Sequence, residues 1–211
     1  MNIVGIIEGK DPQLKDEYLI IAAHIEHAGE QSEENHNPSA NISGCASVLE
    51  IANIYAQNNI KLKRSIIFIH FTSEEQGLFC SDFFVNHLPV PMEKIIAIFN
   101  LDCIGYGDST PISNGKSSPT LWYLSKQTDL LYTKKMVEPT YSGNFADATA
   151  IHDKTIPYLY FISSNSFEHL QYTTDTYGDL NTVNFKKITK LAYLVSLQIA
   201  NGYYTKEIVL Q

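Results

Sequence analysis

The sequence predicts an α/β protein, a three-layer α/β/α sandwich on a mixed, mostly parallel sheet. Two observations carry that expectation. Apolar runs bounded by turn formers recur at 2–8 ("NIVGIIE"), 17–23 ("EYLIIAA"), 65–71 ("SIIFIHF"), 94–101 ("KIIAIFNL") and 156–162 ("IPYLYFI"). Most are rich in Ile, Val, Tyr and Phe, as strands covered on both faces are. Helical periodicity fills the intervals after the second run, so strands and helices alternate and parallel crossovers follow. At 211 residues and 44% hydrophobic content, the chain suffices for one core, and a single domain over 1–211 is expected.

Taken in order, the first two strands are joined by "GKDPQLKDE". That connection is too short for a crossover helix, so these strands are predicted to be an antiparallel pair. A helix follows over roughly 43–58, with Val48, Leu49, Ile51, Ala52 and Tyr55 on one side. Further helices are expected near 76–88 and 119–130. The clearest runs over 183–202, where Phe185, Ile188, Leu191, Ala192, Val195 and Ile199 recur at helical steps behind a cap at Asn181 or Thr182. No repeat, low-complexity tract or Pro/Ser-rich linker divides the chain.

Composition excludes several classes of partner. A formal net charge of −8 and a pI near 5.3, with Lys and Arg scattered, argue against nucleic acid and anionic membrane surfaces. No apolar run approaches the length of a membrane span, so no membrane insertion is expected. The opening "MNIVGIIEG" lacks the basic start and cleavage site of a signal peptide, which leaves localisation open. Cys45, Cys80 and Cys103 form no C-x-x-C pair and read as buried small hydrophobes.

Polar residues gather just after the predicted strands, where α/β folds form their sites. They are His24, Glu26 and His27; Glu74 and Glu75; Asp102; and Glu168, His169 and Asp175. Imidazole and carboxylates from separate strand ends are the donors that hold zinc or a pair of divalent ions. Each has an ordinary reading too: acidic side chains at 74 and 75 favour the start of a helix, and Asp102 can cap a turn.

In sequence order, "DEYLIIAAHIEHAG", "NPSANISG", "IIFIHFTSEEQGLF", "IIAIFNLDCIGYG", "YTTDT" and the C-terminal amphipathic helix resemble the zinc-dependent aminopeptidases of clan MH. That group includes bacterial leucyl aminopeptidases, glutaminyl cyclases, glutamate carboxypeptidase and the transferrin receptor ectodomain. The resemblance runs from about residue 2 to 202. Relatives commonly carry a further N-terminal segment and are often exported, whereas this sequence starts at the first matched strand.

The resemblance implies a metal ligand at His24, with Glu26 in place of the Asp that orients it. It implies a general base at Glu74, and ligands at Glu75 and Asp102. The carboxylate that bridges two metals in the family's G-A-D-D-N-A-S-G motif falls on Ala40, and the last ligand, the His of H-x-x-x-D-T, falls on Gln171. Alanine has no donor atom and a glutamine amide is a poor zinc ligand. In "FADATAIHDKTIP", Asp147 matches the family's S-D-H-x-x-F segment near the substrate pocket, but Ala148 replaces its His. Asp147 and Gln171 are thus candidates for binding substrate rather than metal.

Zinc is the cofactor the family implies, and the residues present allow at most one ion. The expected protein is therefore a metallo-aminopeptidase-fold chain whose two-metal site is incomplete, acting as a binding module for a peptide or small molecule. The alternative is an active zinc aminopeptidase with a mononuclear site at His24 and Asp102, helped by His27 or His36. Glutaminyl cyclase activity fares worse, because it relies on the ligand positions that are most eroded.

Overall fold

The computed structural model describes residues 1–25, 42–58, 60–74, 77–142, 147, 150, 154–168 and 177–210. Its strands are β1 (Ile3–Ile7), β2 (Tyr18–His24), β3 (Ser65–Phe71), β4 (Ile95–Leu101), β5 (Thr110–Ser113), β6 (Met136–Val137) and β7 (Tyr158–Phe161). Its α-helices among the described residues are α1 (Ile42–Gln57), α2 (Phe79–Asn86), α3 (Pro119–Tyr132) and α4 (Thr182–Ala200).

The strands form one seven-stranded sheet in the order β1-β3-β2-β4-β7-β5-β6. The central strands β3, β2, β4 and β7 run parallel, β1 is antiparallel to β3, and β5 is antiparallel to β7. The predicted β1–β2 hairpin is therefore corrected: β3 lies between the two strands. The short connection sets their opposite directions, but β3, uniformly apolar and buried, takes the place beside β2. The sequence reading also missed β5 and β6, and α2 starts three residues later than expected.

Alternation along each strand sends successive side chains to opposite faces. Leu19, Ile21, Ala23, Ile66, Phe68, Phe99 and Leu101 join α1 and α4 in one core. Ile20, Ala22, Ile67, Ile69, Ile98, Tyr158 and Tyr160 join Phe84 and Val85 of α2 in the other. Helices thus cover both faces, the expected three layers. Hydroxyls fasten α1 to α4: Ser47 meets Thr189 at 2.6 Å and Tyr55 meets Ser196 at 2.7 Å. No helix among the described residues is long and apolar enough to cross a membrane.

Buried Arg64 clasps the end of the sheet where β2 and β3 begin. Its Nε donates to Glu17 Oε2 at 2.7 Å, and its Nη1 donates to the carbonyls of Ile199 and Tyr204 at 2.8 Å each. The Ile199 carbonyl in the last turn of α4 thereby gains a charged partner. Beyond α4, Glu207 accepts from the amides of Thr120 and Leu121 at the start of α3, at 2.8 and 2.9 Å. The predicted cap of α4 is Asn181, whose side chain accepts from Asn184 N.

Of the three cysteines, all free, Cys45 and Cys103 are buried as expected. Cys80 is not. It sits half-buried in the first turn of α2, accepting a hydrogen bond from the Thr72 hydroxyl at 3.2 Å, because α2 turns Ser81, Phe84 and Val85 rather than Cys80 inward.

Candidate active site

Parallel pairing of β2 with β4 brings their C-terminal ends side by side, with Ala22 opposite Asn100. His24 and Asp102, each two residues further on, share the face of Ile20, Ala22 and Ile98. His24 Nε2 lies 3.2 Å from Asp102 Oδ1, and both side chains are buried. Tyr160, from the neighbouring β7, donates its hydroxyl to Asp102 Oδ2 at 2.7 Å.

These contacts set the charge state. Burial disfavours a charged imidazole, but the Asp102 hydrogen bond and the negative charges of Asp102, Glu74 and Asp147 outweigh it and raise the His24 pKa to about 9. Burial likewise pushes the Asp102 carboxyl up. The His24 hydrogen bond and charge, with hydrogen bonds from Tyr160 and Cys103, hold it below its ordinary value. His24 and Asp102 are therefore an imidazolium–carboxylate pair near neutral pH.

The loops leaving the strands are conformationally constrained. Ser73 after β3, Cys103 after β4 and Asn165 after β7 all have left-handed backbones without being glycine, at φ 60°, 47° and 60°. Such conformations persist where surrounding contacts enforce them, and they gather at functional sites. Cys103 is held by Ser163, whose hydroxyl donates to its carbonyl at 2.7 Å. At Gly107, φ is 55° and a Cβ would strike the Ser164 carbonyl, so the loop packs closely only with glycine there.

Of the sequence candidates, His24 and Asp102 are in contact, and the negative charges of Glu74 and Asp147 act on His24. Glu74 is half-buried and precedes α2 rather than opening it; its carbonyl accepts from Gly77 and Leu78 at 3.0 Å. Asp147 is fully buried, and its charge acts on His24. Glu26, Glu75, Gln171 and Ala40 lie outside the described residues. Tyr160 was missed by the sequence reading; the available signal was a tyrosine on the inner face of a strand next to the one that ends at Asp102.

His24 and Asp102 offer one imidazole and one carboxylate, whereas zinc takes about three or four protein ligands in most sites. No group of three or more His, Cys, Asp or Glu is gathered for a metal among the described residues.

Comparison with known proteins supplies context. Residues 2–196 match peptidase family M28. The fold is similar to an aminopeptidase from Aneurinibacillus sp. strain AM-1, at 20% identity and a TM-score of 0.81, covering 100% of this chain and 50% of that one. It is similar to a Bacillus subtilis protein described as a zinc aminopeptidase, at 19% identity and a TM-score of 0.77, covering 100% and 52%. A glutaminyl cyclase from an Acidobacteriales bacterium matches at 17% identity and a TM-score of 0.76, covering 96% and 74%. The chain spans about half the length of the two aminopeptidases.

Proposed function

The chain belongs to peptidase family M28, and from that premise we propose that its two-metal site is incomplete. In this reading the domain serves as a binding module for a peptide or small-molecule ligand. The observation that carries it is the identity of two residues: Ala40 stands where the resemblance puts the bridging carboxylate, and Gln171 where it puts the last histidine. Removing the bridging carboxylate also removes the negative charge that lets two dications sit close together.

Metal analysis after zinc incubation tests the proposal. The unmodified protein is expected to hold no pair of zinc ions, and the Ala40→Asp/Gln171→His double variant to gain them. Equal uptake of two ions by both proteins overturns the reading.

A second reading rests on a different observation, the convergence of His24 and Asp102 with the negative charge of Glu74. It is an aminopeptidase with a one-ion site, in which Glu74 accepts the proton of the attacking water. Hydrolysis of an aminoacyl reporter that disappears in Glu74→Gln supports it; a reporter left uncleaved by the unmodified, zinc-incubated protein rules it out.

A further inference from the structure

We propose that Tyr160 is a positioning residue of this site: its hydroxyl fixes one oxygen of Asp102 so that the other oxygen alone faces His24. The proposal concerns the geometry of the carboxylate and holds whether or not hydrolysis is retained.

The need for such a residue follows from the shape of aspartate. The last torsion of a carboxylate is broad and two-fold, so its two oxygens exchange roles easily. A backbone that fixes the Asp102 Cα does not choose between them. The Tyr160 hydroxyl does, because it donates to Oδ2 at 2.7 Å while His24 Nε2 takes Oδ1 at 3.2 Å. An O–H···O⁻ bond of this length is charge-assisted and stronger than a bond between neutral groups.

Register explains why this tyrosine can reach. Tyr160 is directly opposite Asn100, two residues before Asp102 on β4. A diagonal neighbour of that kind is within reach of an aromatic side chain. The residues flanking Tyr160 in the same row do not compete for its proton. Asn100 on β4 and Ser113 on β5 are both fully buried, yet neither amide atom of Asn100 nor the Ser113 hydroxyl has a hydrogen-bond partner among the described residues. The main chain beyond Asp102 is fixed separately, by the Ser163 hydroxyl on the Cys103 carbonyl. With backbone and one oxygen both held, the other carboxylate oxygen is presented to His24 in a defined direction.

The test reads the His24 ring directly. In the unmodified protein near neutral pH, the His24 Nε2 proton is expected as a sharp, downfield, slowly exchanging nuclear magnetic resonance. Tyr160→Phe keeps the ring and removes the hydroxyl, and the resonance is expected to broaden or vanish. Tyr158→Phe is the control: Tyr158 is a buried tyrosine on the same strand and face, and its loss is expected to leave the resonance in place. A resonance unchanged in Tyr160→Phe, or lost equally in both variants, overturns the proposal. So does its absence from the unmodified protein. Should Tyr160→Phe not fold, the Tyr160 hydroxyl proton of the unmodified protein decides: a slowly exchanging signal supports the bond to Asp102, and rapid exchange with solvent overturns it.

Discussion

The sheet carries a cation–carboxylate pair at each end of β2, partly exposed at Arg64–Glu17 and buried at His24–Asp102, and the two are built differently. Where the strand begins, Arg64 meets Glu17 at 2.7 Å and spends a further nitrogen on two carbonyls, Ile199 and Tyr204. Where it ends, His24 meets Asp102 at 3.2 Å beside a tyrosine hydroxyl and an unpartnered Asn100 amide. The first pair uses a cation that does not lose its proton and joins α4 to the sheet. The second uses a cation that can titrate, in surroundings where polar groups are not all satisfied. One end of the sheet ties α4 to the strands, and the other carries a pair that can titrate.

Substitutions sharpen that contrast. Arg64→Met leaves Glu17 without its cation and takes the charged donor from the Ile199 and Tyr204 carbonyls; a loss of about 3 kcal/mol in urea unfolding is expected, the lower end for a broken buried pair because Glu17 is partly exposed. Asp102→Ala is expected to cost less, about 2 kcal/mol, because His24 can shed its charge once the carboxylate is gone. If the Asp102 variant proves the less stable, the division of labour between the ends is wrong.

The pH dependence separates the pairs further. The folded His24 pKa of about 9 lies above the ordinary 6.5, so its contribution is complete below the lower value and is lost as pH rises through the higher one. The urea midpoint of the unmodified protein is therefore expected to fall between these pH values, and that of Asp102→Ala to fall much less. Equal slopes contradict a charged His24–Asp102 pair.

The smallest effect has the opposite sign. Asn100→Leu replaces an unpartnered buried amide by an apolar group of similar size and is expected to be neutral or stabilising by up to about 1 kcal/mol. A clear loss of stability would mean that the amide makes a contact in solution.

Much of this architecture is legible in the sequence, for identifiable reasons. The central strands are long and uniformly apolar, and α4 repeats its apolar residues at helical spacing behind Asn181. β5 and β6 escape because Thr110–Ser113 and Met136–Val137 are too short to show any period. The partner of β1 was misassigned because a connector length limits direction but not which strand intervenes. His24, Asp102 and Glu74 were singled out as candidates because they follow strands within recognisable motifs. Tyr160 was not, because its role comes from a register between strands far apart in sequence.

Glu207 carries a consequence for how the fold opens. Because its carboxylate holds the Thr120 and Leu121 amides while Tyr204 lends its carbonyl to Arg64, residues 203–210 brace α3 and the Arg64 clasp together. Peeling that segment away would uncap one helix and weaken the closure of another in the same motion. Deuterium uptake at the amides of Thr120 and Leu121 should therefore report on the C-terminal segment rather than on α3 itself: in Glu207→Gln these two amides are expected to exchange faster while the middle of α3 keeps its protection.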